Sequence, residues 1–341
     1  MWYEGIIDRK SLPDSVLRFM IRYGLYKYSN RVRKLSDTDV KTNRDNFVHK
    51  SLSGPIALET EKANLQHYEL PTEFFRLVLG KHMKYSGSIW DKDEDSIDAS
   101  EELTLQTYIQ RSKVEDGHKI LDLGTGWGSL SLYLGENYKK SEITAVTNSD
   151  TQKDFIEAEC NYRNINNLKV LKTDVNNLTF DYKFDTIFSI EMLEHTRNVK
   201  KLMDRVSNWM TDNANFFIQV FSHKIYPQYF DNVGNSWMAR YFFSGGMMPY
   251  PEFYKDIDSK LIPVQSWFES GKHYHKTLES WLKRLDSNLD DINLYLETQS
   301  LNEPGIVLIN RFRFFLIICS ELFKYNQGKD WIVVNHLLNK K

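Results

Sequence analysis

The chain has 341 residues, 41% hydrophobic and 26% charged, with a formal net charge of −2. That composition supports an ordinary globular core, and the near-neutral balance excludes a strong overall field directed at nucleic acid or an anionic membrane. The two cysteines, Cys160 and Cys319, belong to no CxxC pair, which argues against a disulfide framework or a zinc site and for a reducing, cytoplasmic setting.

Residues 1–84 read mostly as helix: Val16, Leu17, Met20 and Ile21 recur at helical spacing after the start signal Pro13-Asp14-Ser15. The first fifty residues carry 11 Lys or Arg against 6 Asp or Glu. A solvated helical face accounts for this better than a membrane-surface contact. The start Met1-Trp2-Tyr3-Glu4-Gly5 has no basic-then-apolar leader pattern.

From about Leu103 the segments alternate. Glu101–Arg111 reads as helix, Lys119–Gly124 as strand, Ser129–Lys139 as helix, Glu142–Thr147 as strand and Thr151–Arg163 as helix. Strands over Leu168–Asp174 and Phe184–Ile190, a helix over Val199–Met210 and a strand over Asn215–Ser222 follow. The alternation predicts an α/β fold with a parallel sheet covered on both faces and its ligand edge at the strand carboxyl ends. Residues 223–260 break the pattern with a crowd of aromatics, including Tyr226, Phe230, Trp237, Phe242 and Phe243. A long insertion of this kind is usually functional. Ile262–Phe268 reads as strand, Leu278–Leu289 and Gly305–Phe323 as helix, and Trp331–Leu337 as a final strand. The apolar Gly305–Phe323 stretch is interrupted by Asn310, Arg311 and Arg313, so it is too short to span a bilayer.

The chemistry concentrates in four places. Ile120-Leu121-Asp122-Leu123-Gly124-Thr125-Gly126-Trp127-Gly128 is a buried strand that ends in glycines and opens a helix. It lets backbone approach a nucleotide-like ligand. The second strand ends in Thr147-Asn148 rather than an acid, which argues against a nicotinamide cofactor. Asp174 ends strand three; alone, an Asp there, like Asn148, is most often a cap. Glu191, Glu194 and His195 follow strand four, and helical spacing would place all three near one face. A histidine with two carboxylates suits proton acceptance and cation holding, although a first-turn acid pair with an exposed histidine fits equally on spacing alone.

The segment His67-Tyr68-Glu69-Leu70-Pro71 through Met83-Lys84-Tyr85-Ser86, with Leu121–Leu134, Ser189–His195, Trp237–Gly246, Gly271–Asp286 and Glu321–Trp331, resembles the cyclopropane-fatty-acid synthase family. It is most similar to the coclaurine N-methyltransferase branch of that family of class I methyltransferases. The resemblance implies a Rossmann-like seven-stranded sheet with S-adenosyl-L-methionine (SAM) as cofactor. Residues 1–100 would be a helical extension capping the cofactor and substrate, and residues 101–341 the methyltransferase domain, with the aromatic insertion at 223–260 and a helical segment at 278–323 as lid.

The resemblance also implies roles. Gly124, Thr125 and Gly126 would lie along the methionine part of SAM, with Tyr85 and Ser86 closing on that end. Thr147, Asn148 and Gln152 would contact the ribose, and Asp174, Val175 and Ile190 the adenine. Tyr85, Tyr274, Phe312, Phe315 and Cys319 would face the substrate, Phe312 with more of a pocket role than Phe315. Cys319 itself reads as an inert thiol on an apolar helix. Glu191, Glu194 and His195 would be catalytic. Glu191 separates the branches, because the lipid enzymes carry Gly there. Gly87 stands where those enzymes have Cys, and Gln219-Val220 where they supply a bicarbonate-binding His. The expectation is N-methylation of a small aromatic or cyclic amine. No nucleic-acid partner and no metal are expected, and a homodimer stays open. The rivals are lipid C-methylation or cyclopropanation, and a catalytically inactive SAM-binding protein.

Overall fold

The computed structural model describes residues 4–58, 70–91, 96–231 and 236–341. His67, Tyr68 and Glu69 of the family-like segment lie outside the described residues.

Short apolar runs form the centre of the sheet. Strands β1 (Lys119–Leu123) and β2 (Glu142–Thr147) are buried from their second residue onward, as strands covered on both faces must be. With β3 (Leu168–Lys172), β4 (Phe184–Ile190) and β5 (Met210–His223) they make a parallel array. Two strands extend it antiparallel: β9 (Trp331–Lys340) pairs with β5, and β8 (Leu261–Ser270) pairs with β9. The order is β3-β2-β1-β4-β5-β9-β8. It reverses direction between β1 and β4, so the flanking chain diverges there and leaves a crevice at the carboxyl ends.

The helices in chain order begin with α1 (Glu4–Asp8), α2 (Asp14–Arg33), α3 (Asp37–Lys50), α4 (Thr72–Val78) and α5 (Ile97–Ser112). A boundary at residue 100 falls inside α5. Next come α6 (Ser129–Asn137), α7 (Asp150–Arg163) and α8 (Val199–Trp209). The insertion holds a two-stranded ladder of β6 (Gln228–Tyr229) and β7 (Met247–Met248), with the short helices α9 (Trp237–Tyr241) and α10 (Phe253–Asp256). The last helices are α11 (Gly271–Ser287), α12 (Leu289–Glu297) and α13 (Gly305–Gly328). The helix expected from Leu278 thus starts seven residues earlier, at Gly271, where Ser270 accepts the Lys272 N–H as its cap.

The arginines that interrupt the apolar α13 are tethers. Arg313 pairs with Asp14 at 2.6 Å and Asp286 at 2.7 Å, and Arg311 pairs with Asp8 at 2.8 Å. In return, Arg18 reaches Glu279 at 2.7 Å and Glu321 at 2.8 Å. Part of the basic excess of the first fifty residues therefore faces inward and clamps α1 and α2 onto α11 and α13. Among the described residues, no helix is long and apolar enough to cross a membrane.

Candidate active site

A cavity of about 340 Å³ opens at the carboxyl ends of β1, β2 and β4. Its cofactor-like end is built from the glycine loop. Gly124 has φ +82°, and a Cβ there would lie 2.4 Å from Met192 Cγ, so both backbone and packing demand glycine. Gly126, at φ +57°, has nothing within 4 Å of where its Cβ would be, so its backbone lies open to a ligand. Asp122 braces the loop: its Oδ2 accepts from Thr125 Oγ1 at 2.8 Å and Ser131 Oγ at 2.6 Å. At the end of β2, Thr147 Oγ1 donates to Gln152 Oε1 at 2.6 Å. Gln152 Nε2 is buried with no partner among the described residues, a donor aimed at a missing acceptor. Tyr85, Ser86, Thr147, Asn148, Gln152, Val175 and Ile190 all line the cavity. Asp174 does not: Thr173 and Val175 form that wall, and the Asp174 carboxylate accepts the Asn176 N–H at 2.6 Å in a turn.

The three residues after β4 do not share a helix face. The chain turns sharply at Glu191, whose φ is +49°, and only Leu193–His195 form a single 3₁₀ turn. A left-handed non-glycine residue is costly and is held here by its surroundings. The turn sorts the three side chains. The Glu191 carboxylate lines the cavity. Its Oε1 accepts from the Gly87 N–H at 3.0 Å and Gln219 Nε2 at 2.9 Å, and its Oε2 accepts from the Tyr274 hydroxyl at 2.7 Å. His195 lines the cavity and packs edge-on against Phe243, with centroids 4.9 Å apart. Glu194 is withdrawn and fully buried, its Oε1 accepting the Phe221 N–H at 2.7 Å.

Burial governs the titration of the site. It raises Glu191 above the ordinary carboxylate range, against the pull of Lys84 and the three hydrogen bonds. It also raises Glu194 well above that range, with the Glu191 charge adding to the effect. Burial lowers His195 to about 4, leaving a neutral imidazole at physiological pH. Cys319 lines the cavity as a thiol pushed up to about 12 by burial.

Aromatic rings close the other walls. Phe315 lines the cavity and stacks on Phe242 of the insertion at 4.4 Å. Phe312 is not on the wall: it is 2% exposed and sits behind Tyr85, centroids 6.3 Å apart. The expected order of these two is therefore reversed, because the exposed arc of α13 points Phe315 and Cys319 inward and buries Phe312 against Phe74 and Phe75. The insertion supplies Phe230, Met238, Phe242 and Phe243 as cavity wall.

Two groups around Glu191, Lys84 and Tyr108, escaped sequence reasoning, and Gln219 was marked only by what it replaces. Lys84, only 1% exposed, donates to Ser86 Oγ and the Gly87 carbonyl at 2.7 Å each. Burial, only partly offset by Glu191 and Glu101, lowers its ammonium to about 8. Tyr108 and Gln219 complete the floor, the Tyr108 hydroxyl donating to Gln219 Oε1 at 2.8 Å. Lys84 adjoins the Tyr-Ser pair, but no periodicity marks a lysine as buried.

The model for mycolic acid cyclopropane synthetase matches residues 57–332. The chain belongs to this family. Within it, the sequence is 32% identical over 335 residues to an (S)-coclaurine N-methyltransferase from Thalictrum flavum subsp. glaucum, covering 97% of this chain and 93% of that enzyme. The crystal structure of a coclaurine N-methyltransferase bound to N-methylheliamine and SAH superposes with a TM-score of 0.94 at 31% identity, covering 99% of this chain and 98% of that one. A more distant relative, the cyclopropane-fatty-acyl-phospholipid synthase of Escherichia coli (strain K12), is 25% identical and covers 79% of this chain and 66% of that enzyme.

Proposed function

We propose that this protein is a SAM-dependent N-methyltransferase acting on a small amine. The carrying observation is Glu191: a carboxylate on the cavity wall, held by three donors and flanked by aromatic rings, is a receptor for an organic cation. The N-methyltransferases among its relatives match nearly the whole chain.

The cavity suits SAM on its own geometry, with the open backbone at Gly126 and the unpartnered Gln152 Nε2 suited to a ribose hydroxyl. SAM, when bound, supplies a methyl group on a sulfonium. Gly124, Thr125 and Gly126 would hold its amino-acid end with Tyr85 and Ser86, Thr147, Asn148 and Gln152 its ribose, and Asp174, Val175 and Ile190 its adenine. Glu191 draws the ammonium form of the substrate into the cavity, and Tyr85 and Phe315 offer ring faces worth about 0.5–2 kcal/mol per contact. The Glu191 carboxylate, raised by burial, accepts an N–H of the amine and orients its nitrogen. Neutral His195 adds no repelling charge and takes the ammonium proton at a ring nitrogen, freeing the nitrogen lone pair that then attacks the methyl. Glu194 acts indirectly: its bond to Phe221 N–H fixes the turn that aims His195. Residues 1–100 serve in this reading as the cap, because Ala57, Leu58, Met83, Tyr85 and Ser86 line the cavity from that side. A cytoplasmic setting rests on the two free cysteines, and a homodimer is left open.

Incubation with deuterated SAM and a mixed amine pool in bicarbonate-free buffer is the test. A methylated amine is expected. Product formed only on unsaturated phospholipid vesicles, and lost when bicarbonate is removed, would overturn the reading.

A further inference from the structure

Glu191 ends a hydrogen-bond chain that can run in one direction only. The chain starts at Arg111, whose guanidinium has five donors and no acceptor. Arg111 Nη2 is anchored on Glu269 at 2.6 Å, and its guanidinium lies 5.0 Å from the Trp267 ring centroid. Its Nη1 donates to Asn335 Oδ1 at 2.7 Å. Asn335 is fully buried on β9 and is the register partner of Gln219 on β5. With its oxygen taken by Arg111, Asn335 presents its amide nitrogen to Gln219 and donates to Oε1 at 3.1 Å. Gln219 must then turn its own nitrogen the other way, toward Glu191 Oε1 at 2.9 Å and the Gly87 carbonyl at 3.3 Å. Reversing Asn335 would set donor against donor at Arg111, and reversing Gln219 would do so at Asn335. Tyr108 also donates to Gln219 Oε1, but a hydroxyl can donate or accept, so it follows the direction rather than setting it.

We propose that Arg111 and Asn335 are positioning residues for amine binding: by fixing Gln219 as a donor they keep Glu191 an ionised acceptor on the cavity wall. The proposal rests on the amine reading given above. Glu194 on the same turn is held away on the Phe221 N–H, and burial opposes the ionised form of Glu191. Lys84 from the loop before α5 favours it, the Tyr274 hydroxyl from α11 donates to it, and Tyr108 from α5 faces it. The relay brings the influence of an arginine at the end of α5 to a carboxylate it does not touch.

The test is calorimetric binding of benzyltrimethylammonium to the SAH-loaded enzyme between pH 5 and 9. The charge of this probe does not titrate, so the pH at which its affinity falls reports Glu191. Asn335→Asp keeps the acceptor for Arg111 but removes the donor to Gln219 and sets oxygen against oxygen there, so the Gln219 amide is pushed off the orientation that donates to Glu191. The affinity midpoint should rise by about one to two pH units, the size of a lost charge-assisted hydrogen bond. Arg111→Lys, still a pure donor, should stay near wild type, and SAH affinity should be unchanged in both. Glu269→Gln alters the charge beside Arg111 without reversing the chain and should leave the midpoint in place. If Asn335→Asp does not fold, Arg111→Met carries the test, with a midpoint shift in the same direction. A folded, SAH-binding Asn335→Asp protein with the wild-type midpoint overturns the relay. So does a Glu269→Gln shift of equal size. A wild-type enzyme that binds the probe but methylates no amine overturns the functional reading instead.

Discussion

Gly87 makes the slot that lets Tyr274 reach Glu191, and Gly87→Ala should close it. A Cβ at position 87 would lie 2.9 Å from Tyr274 Cδ1 and 3.0 Å from Cγ. The ring must retreat by about 0.5 Å to reach ordinary van der Waals contact. It has nowhere to go, because its other face stacks on Phe323 with centroids 4.3 Å apart. The Tyr274 hydroxyl then leaves Glu191 Oε2, which it holds at 2.7 Å. A hydrogen bond to a charged group is worth about 1.5–3 kcal/mol, so kcat/KM for the amine should fall about 10- to 150-fold. The Gly87 N–H bond to Glu191 is a backbone contact and survives. SAM affinity should be nearly unchanged, since the glycine loop at Gly124–Gly126 is untouched. Tyr274→Phe removes the same bond without the overlap, so the double variant should lose little more than either single one. Methylation kinetics, calorimetric SAM binding and thermal melting of the three variants decide the matter. A Gly87→Ala enzyme with wild-type kcat/KM, or fully additive losses in the double variant, would refute the slot.

Three further outcomes follow from the same geometry. His195→Ala should lower kcat at pH 7 by about 10²–10⁴, with part of the loss recovered at high pH where more amine is neutral; equal deficits at pH 7 and pH 9.5 would rule out proton removal as its role. Asp174→Ala should weaken SAM binding by about 1–3 kcal/mol, and an unchanged dissociation constant would remove Asp174 from the proposed adenine site. His223 is 3% exposed and accepts the Ile225 and Tyr226 N–H groups at Nδ1, and burial lowers it to about 4. The unfolded chain takes up that proton first, so the stability His223 contributes above pH 6.5 is lost as pH falls toward 4, by about 3 kcal/mol. His223→Asn, which keeps an acceptor but cannot titrate, should flatten that window in pH-dependent urea melts relative to wild type, and parallel curves would count against it.

Strand and helix placement was legible because it depends on local periodicity: β2 and β4 span the expected residues, and the glycine loop sits where its run of small residues placed it. The aromatic insertion stood out for the same reason, since ten aromatics crowd a break between strands. What neighbouring residues could not specify was direction. Helical spacing put Glu191, Glu194 and His195 on one face. The left-handed turn at Glu191 instead sends one carboxylate to the cavity and the other into the sheet. Spacing on α13 could not tell Phe312 from Phe315, because that depends on which arc Tyr85 covers. Gln219 was notable in sequence only for what it replaced. Its role comes from Asn335, 116 residues away in the chain and opposite it in the β5–β9 ladder. Local pattern therefore determined the scaffold and its ligand edge, while strand register and close packing alone decided which polar atoms meet in the cavity, because hydrogen bonds are directional and join residues that the chain keeps far apart.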